Sequence, residues 1–99
     1  MEGQARISPE VLARYAADAA RDVPGVTGLV EGHLSRQRGV QVDDEGERLS
    51  VELHIAVSWG ASLPEVGREV QRRVAEYLVR MADAAPARID VVVEVIGDH

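Results

Sequence analysis

The sequence predicts an α+β domain of two layers, a mixed four-strand sheet with two helices on one face, in the order α-β-β-β-α-β. Three observations carry that prediction. Leu49, Val51, Leu53, Ile55, Val57 and Trp59 alternate without a break with Ser50, Glu52, His54, Ala56 and Ser58, the period of a half-buried strand. Two other segments repeat apolar residues at three-to-four spacing behind capping residues, as amphipathic helices do. A second period-two run, 89–96, follows the second helix, and such a strand–helix–strand tail crosses over right-handedly to run parallel in the same sheet.

Ser8-Pro9-Glu10 opens the first helix, with Ser as N-cap, Pro at the first helical position and an acid in the first turn. Val11, Leu12, Tyr15, Ala16, Ala19 and Ala20 form its apolar stripe over about 14 residues, and Pro24-Gly25 ends it. A first strand is expected over 26–34, weakened by Gly28 and Gly32, and a second from Gly39, paired with the long third strand as an antiparallel hairpin. Asp43-Asp44-Glu45-Gly46 reads as the turn between them. Trp59 is expected to close the inward row of the third strand. Ser62-Leu63-Pro64-Glu65 is a capping box opening the second helix, whose apolar face is Leu63, Val66, Val70, Val74, Tyr77, Leu78 and Met81. Its outer face is expected to pair Glu69 with Arg73 and Glu76 with Arg80. Ala84-Ala85-Pro86 ends that helix. In the last strand Ile89, Val91, Val93 and Val95 are expected inward, with Asp90, Val92, Glu94 and Ile96 outward.

Ninety-nine residues make a single domain, 1–99, with a core over about 7–97 and short flexible termini. The core is aliphatic, built around sixteen valines with no phenylalanine. The chain has no cysteine, which removes disulfides, thiolate nucleophiles and thiolate metal sites and fits a reducing cytoplasm. No apolar run approaches the ~18 residues of a membrane span. The N-terminal MEGQARISPE lacks the basic-then-apolar pattern of a signal peptide. A cytoplasmic chain is therefore expected, with membrane contact only through a partner. The net charge of −6, with every base an arginine, repels phosphate backbones unless the arginines cluster.

Four constellations invite chemistry. Gly25-Val26-Thr27-Gly28 has the Gly-x-x-Gly spacing of an RNA-clamping loop, and a nucleic-acid module of KH-like shape is the alternative function it would support. It joins a helix to a strand between Asp22 and Glu31, however, so Pro24, Gly25 and Gly28 read as a structural turn. His54 shares a strand face with Glu52, a geometry open to general-base chemistry but without a visible nucleophile; the ordinary reading is a half-exposed sheet histidine. The acidic run from Asp43 misses the glycine and glutamate positions of a calcium loop. Arg68, Arg72, Arg73 and Arg80 form a stripe interrupted by Glu69 and Glu76. No catalytic residue, cofactor or metal site is expected. The outward sheet face is different: Ala56, Val92 and Ile96, beside Ser58, His54 and Glu94 and with Leu29 nearby, would expose apolar surface, which on a small domain marks association. These four, Ala56, Val92, Ile96 and His54, are the candidate interaction residues, and a homo-oligomer is the expected partner state.

Val23-Pro24-Gly25-Val26, then Gly28-Leu29, Trp59-Gly60, Leu63-Pro64-Glu65-Val66, Glu69-Val70-Gln71-x-x-Val74 and Ile89-Asp90-Val91-x-Val93-x-Val95-Ile96 together resemble the alkaline shock protein family. The resemblance covers about 7–97 and rests on the order and spacing of these pieces. It implies a non-enzymatic bacterial protein of general or cell-envelope stress that self-associates. It also implies a cytoplasmic location, with some members held at the membrane by a separate anchoring protein. It brings no catalytic residues. The chain departs from larger members in lacking long polar extensions, as a bare domain would, and in having Trp59 where Tyr is common. In that family the Val-Pro-Gly-Val piece is the helix-to-strand junction, which agrees with the turn reading of Gly25.

Overall fold

The computed structural model describes residues 7–31, 39–46 and 48–97. Helix α1 (Pro9–Arg21) is followed by strands β1 (Val26–Leu29), β2 (Val40–Glu45) and β3 (Arg48–Ser58), helix α2 (Leu63–Ala82) and strand β4 (Arg88–Gly97). The order is the expected one. Of the expected first strand, residues 26–29 are strand; its part over 32–34 and the terminal segments 1–6 and 98–99 lie outside the described residues. Asp43, Asp44 and Glu45 belong to β2, and the turn centres on Gly46 at φ 63.

Every hydrogen-bonded strand pair among the described residues includes β3. It runs antiparallel to β1 (Val26↔Val57, Leu29↔Ile55) and to β2 (Val40↔Leu53 through Glu45↔Arg48), and parallel to β4 (Ser50↔Arg88 through Ser58↔Gly97). Because β4 occupies one edge of β3 along most of its length, β1 and β2 share the other, end to end. His54 marks the joint: its C=O accepts from the Val30 N–H at 2.8 Å and its N–H donates to the Gly39 C=O at 2.8 Å.

The strict alternation of β3 decides which side is core. Leu49, Val51, Leu53, Ile55 and Val57 are all buried, and their polar neighbours are not. Val66, Val70, Val74 and Leu78 of α2 cover that inward row together with α1. The small side chains of Ala13, Ala16, Ala17, Ala19 and Ala20, all buried, let α1 approach closely. Tyr15 and Tyr77 join the two helices edge to face, with ring centroids 5.8 Å apart. Both helices begin as their sequences require: Ser8 Oγ accepts from the Val11 N–H at 3.2 Å, and Ser62 Oγ from the Glu65 N–H at 3.5 Å.

Several local expectations fail for identifiable reasons. Trp59 does not close the inward row: β3 ends at Ser58, the chain turns through Gly60 at φ 89, and the indole is left 73% exposed. Leu63 and Met81, at the two ends of the α2 stripe, are exposed, and the buried part of the stripe is Val66, Val70, Val74 and Leu78. Glu76 pairs with Arg72 at 2.9 Å, not with Arg80, whose guanidinium lies over the Tyr77 ring at 5.5 Å. Glu69 does bind Arg73, at 2.9 Å, and also Arg72 at 2.6 Å.

Candidate functional site

Since both helices lie against the inward row of β3, the other side of the sheet has no layer over it among the described residues. Its central row is Ser50, Glu52, His54, Ala56 and Ser58, each half-buried. Register assigns the flanking residues, because paired residues share a face. On the β1/β2 side these are Asp43 opposite Ser50, Gln41 opposite Glu52, and Gly28 opposite Ala56. On the β4 side they are Arg88, Asp90 and Val92, opposite Ser50, Glu52 and His54.

Beyond Val92 the expected pattern breaks. The β3/β4 register shifts between Ile55 and Ala56, so that Ile55 pairs with Val93 but Ala56 pairs with Val95. An extra residue in one strand reverses which side chains face outward after it. Val95, not Ile96, therefore joins Ala56 on the open face, and Ile96 lies opposite the inward Val57; each is 47% exposed. Leu29 pairs with the inward Ile55 and packs against the core, so it leaves the candidate surface. The structure thus brings Ala56, Val92 and His54 together as expected and exchanges Ile96 for Val95. No period in the valine-rich run 91–96 distinguishes the two, since apolar residues stand on both parities.

The polar half of the face is organised around His54. Its Nε2 lies 2.8 Å from Glu52 Oε2 and its Nδ1 lies 3.3 Å from Glu94 Oε1. The hydrogen bond to Glu52 is the largest influence and raises the imidazole above its ordinary value of 6.5. Partial desolvation opposes it, and Glu94 adds to it. One residue pair further down the sheet, Arg88 Nε binds Asp90 Oδ2 at 2.8 Å. The Glu52–His54 pairing is legible from their two-residue spacing on one strand; Glu94 is on the expected face, beside His54, and its direct contact with the imidazole is set by the β3/β4 pairing.

The other constellations are occupied in simpler ways. Gly25 adopts φ 97, its C=O accepts from the Ser58 N–H at 2.9 Å, and a Cβ there would meet Val66 Cγ2 at 2.9 Å. It is a junction glycine that lets the chain pass under α2. Gly28 is not part of the turn: it lies in β1 at a register shift, with open space where a Cβ would be. Asp43 and Asp44 point to opposite faces of β2, so they do not converge on a cation. Among the described residues no group of three or more His, Asp or Glu side chains is placed to hold a metal. Two of the arginines are tied to Glu69 and Glu76, and Arg73 also donates to the Asp22 C=O at 3.4 Å. An open groove of about 270 Å³ between the helices is lined by Ala19, Asp22, Arg73, Glu76, Tyr77 and Arg80, most of which are engaged with one another. Among the described residues no helix is long and apolar enough to cross a membrane.

This architecture has solved counterparts. A structure titled MamM-CTD 215-293 superposes with a TM-score of 0.63 at 19% identity, covering 87% of this chain and 96% of that one. A second MamM CTD structure gives 0.65 at 19% identity over 89% of this chain and 98% of its own. At that identity the likeness shows the fold alone. Sequence similarity is closer to two proteins of Bacillus subtilis (strain 168), both described as uncharacterized. YqhY is 30% identical over 99 residues, spanning 90% of this chain and 73% of its own length. YloU is 36% identical over 84 residues, spanning 73% of this chain and 70% of its own. The model of the alkaline shock protein family, described as having a cell envelope-related function, matches residues 1–97, and the chain belongs to that family.

Proposed function

We propose that this chain is a non-catalytic interaction module of a bacterial cell-envelope stress system, acting by self-association through the open face of its sheet and by binding further protein partners. The observation that carries the reading is that face: one whole side of the sheet is uncovered among the described residues, and it mixes Ala56, Val92 and the exposed Val95 with ion-paired side chains. Its size fits a second copy. Eleven residues of β3 at ~3.3 Å each, across three strand tracks ~4.8 Å apart, give roughly 500 Å² per copy. Two such faces bury about 1,000 Å², the lower limit for a specific interface, so the association is weak and depends on concentration.

A non-catalytic role is supported by the occupation of both His54 nitrogens by carboxylates on an open surface, so that this histidine is not a free base beside a pocket. The KH-like alternative is weakened by the same kind of observation: the Gly25 C=O is bonded into the sheet, and Arg72 and Arg73, the centre of the arginine stripe, are paired with Glu69 and Glu76. A membrane-anchoring protein is the further partner this reading accommodates. Light-scattering chromatography over a concentration series, for the wild type and Val92→Glu, tests the self-association. A mass that rises with concentration in the wild type and stays at one chain in the variant is expected. A wild type that remains a monomer at every concentration refutes it.

A further inference from the structure

We propose that protonation of His54 controls self-association through the open sheet face: the imidazolium seated between Glu52 and Glu94 permits a second copy to dock, and loss of its proton releases it. This rests on the self-association reading above and adds the regulation of that surface.

The geometry sets the requirement. A neutral imidazole carries one N–H, so it can donate to Glu52 or to Glu94 but not to both; its other nitrogen would turn a lone pair toward a carboxylate. Only the imidazolium satisfies the contacts at 2.8 and 3.3 Å together. In the free protein the side chains of His54, Glu52 and Glu94 are 23%, 43% and 41% exposed, so water can solvate whichever carboxylate loses its partner. Beneath a second copy that water is gone, and an unpaired carboxylate is costly. Docking therefore favours the protonated form and takes up protons.

The surrounding charges work in the same direction. On its own strand His54 faces Glu52; from β4 it faces Glu94, with the Arg88–Asp90 pair beyond. On the β1/β2 side its backbone neighbours are Val30 and Gly39, with Glu31 next in the chain and Gln41 and Asp43 further along the face. The helices lie across the other side of the sheet. Asp43, Glu52, Asp90 and Glu94 against Arg88 and a charged His54 leave two negative charges on each face; a neutral His54 leaves three. Between two apposed faces the product of charges thus rises from four to nine, and repulsion more than doubles.

The sign follows from the hydrogen bond to Glu52. His54 is held above 6.5, so the favourable arrangement is complete below 6.5 and is lost as pH rises through the higher value. The test is a concentration series by sedimentation equilibrium on the full chain from pH 6.0 to 9.0 at constant ionic strength, for the wild type, Val92→Glu and His54→Gln. The His54 imidazole is titrated by NMR in parallel. His54→Gln retains His33 and His99 and so isolates the one group. The expected result is a wild-type dissociation constant that rises at least ~tenfold between pH 6.5 and 8.5, while the constant for His54→Gln is raised at every pH and does not vary. Wild-type association that is abolished by Val92→Glu but flat with pH overturns the switch and leaves self-association standing. A wild type that is monomeric even at pH 6.0 overturns both. An imidazole titrating at or below 6.5 also overturns the switch.

Discussion

Replacing Gly25 and Gly28 separately by alanine distinguishes a backbone junction from a ligand clamp, since a clamp would need both glycines and the junction needs one. Gly25 sits at φ 97, where an L-residue is strained by ~1–3 kcal/mol. The added methyl would stand 2.9 Å from Val66 Cγ2, and Val66 is buried and stiff about χ1, so its displacement costs about another 1 kcal/mol. The sum, about 2–4 kcal/mol, is a large share of the ~5–15 kcal/mol by which domains of this size are stable. It corresponds to a fall in Tm of roughly 10–25 °C. Gly28→Ala adds a methyl to open space in a strand, with an expected effect within ~0.5 kcal/mol. Thermal and urea denaturation followed by circular dichroism measures both. Equal losses at the two positions, or a Gly25→Ala variant that melts with the wild type, would show that the junction does not depend on the glycine conformation as argued.

Two further outcomes follow from the ends and flank of α2. Asp83 caps this helix in the left-handed region at φ 50 and ψ 37, so Asp83→Gly relieves strain and is expected to raise stability by ~0.5–1 kcal/mol in urea melts. Glu69 is held down to about 2, first by Arg72 and then by Arg73. Its folded value lies below its ordinary 4.5, so its contribution is present above pH 4.5 and is lost as pH falls toward 2. The stability difference between the wild type and Glu69→Gln should therefore close over that acidic range, and a difference that stays constant from pH 6 to 2 would contradict the pairing.

The β3 alternation was readable because one side of the strand is fully buried and the other is not, a contrast that a period of two records directly. The helix starts were readable for a related reason: Ser8 and Ser62 satisfy local backbone donors, and local chemistry is written in adjacent residues. What escaped was set by pairing across the chain. The exchange of Ile96 for Val95 depends on a register shift opposite Ala56, and Val91, Val92, Val93, Val95 and Ile96 are equally apolar on either parity. Glu94 is expected on the same face as His54, but its hydrogen bond to the imidazole, across forty residues, depends on which β4 residue the register brings alongside. Glu76 has three arginines within one turn, Arg72, Arg73 and Arg80; it pairs with Arg72, while Arg73 is held by Glu69 and Arg80 lies over the Tyr77 ring.

The connectivity of the sheet has a consequence for how it comes apart. In a sheet built as a row, an edge strand can peel away and leave the remaining strands hydrogen-bonded to one another. Here, among the described residues, β1, β2 and β4 each touch β3 and are not paired with one another. Detaching β3 therefore removes every one of these interstrand bonds at once, whereas losing β1, β2 or β4 leaves the other two bonded to β3. Folding inherits the same condition: no strand pair can form before β3 is in place, and the parallel pair must wait for α2 to bring β4 back along it. β3 is thus the one strand whose loss dissolves the whole sheet, so the interstrand bonds of all three partners depend on how firmly the helices hold its inward row.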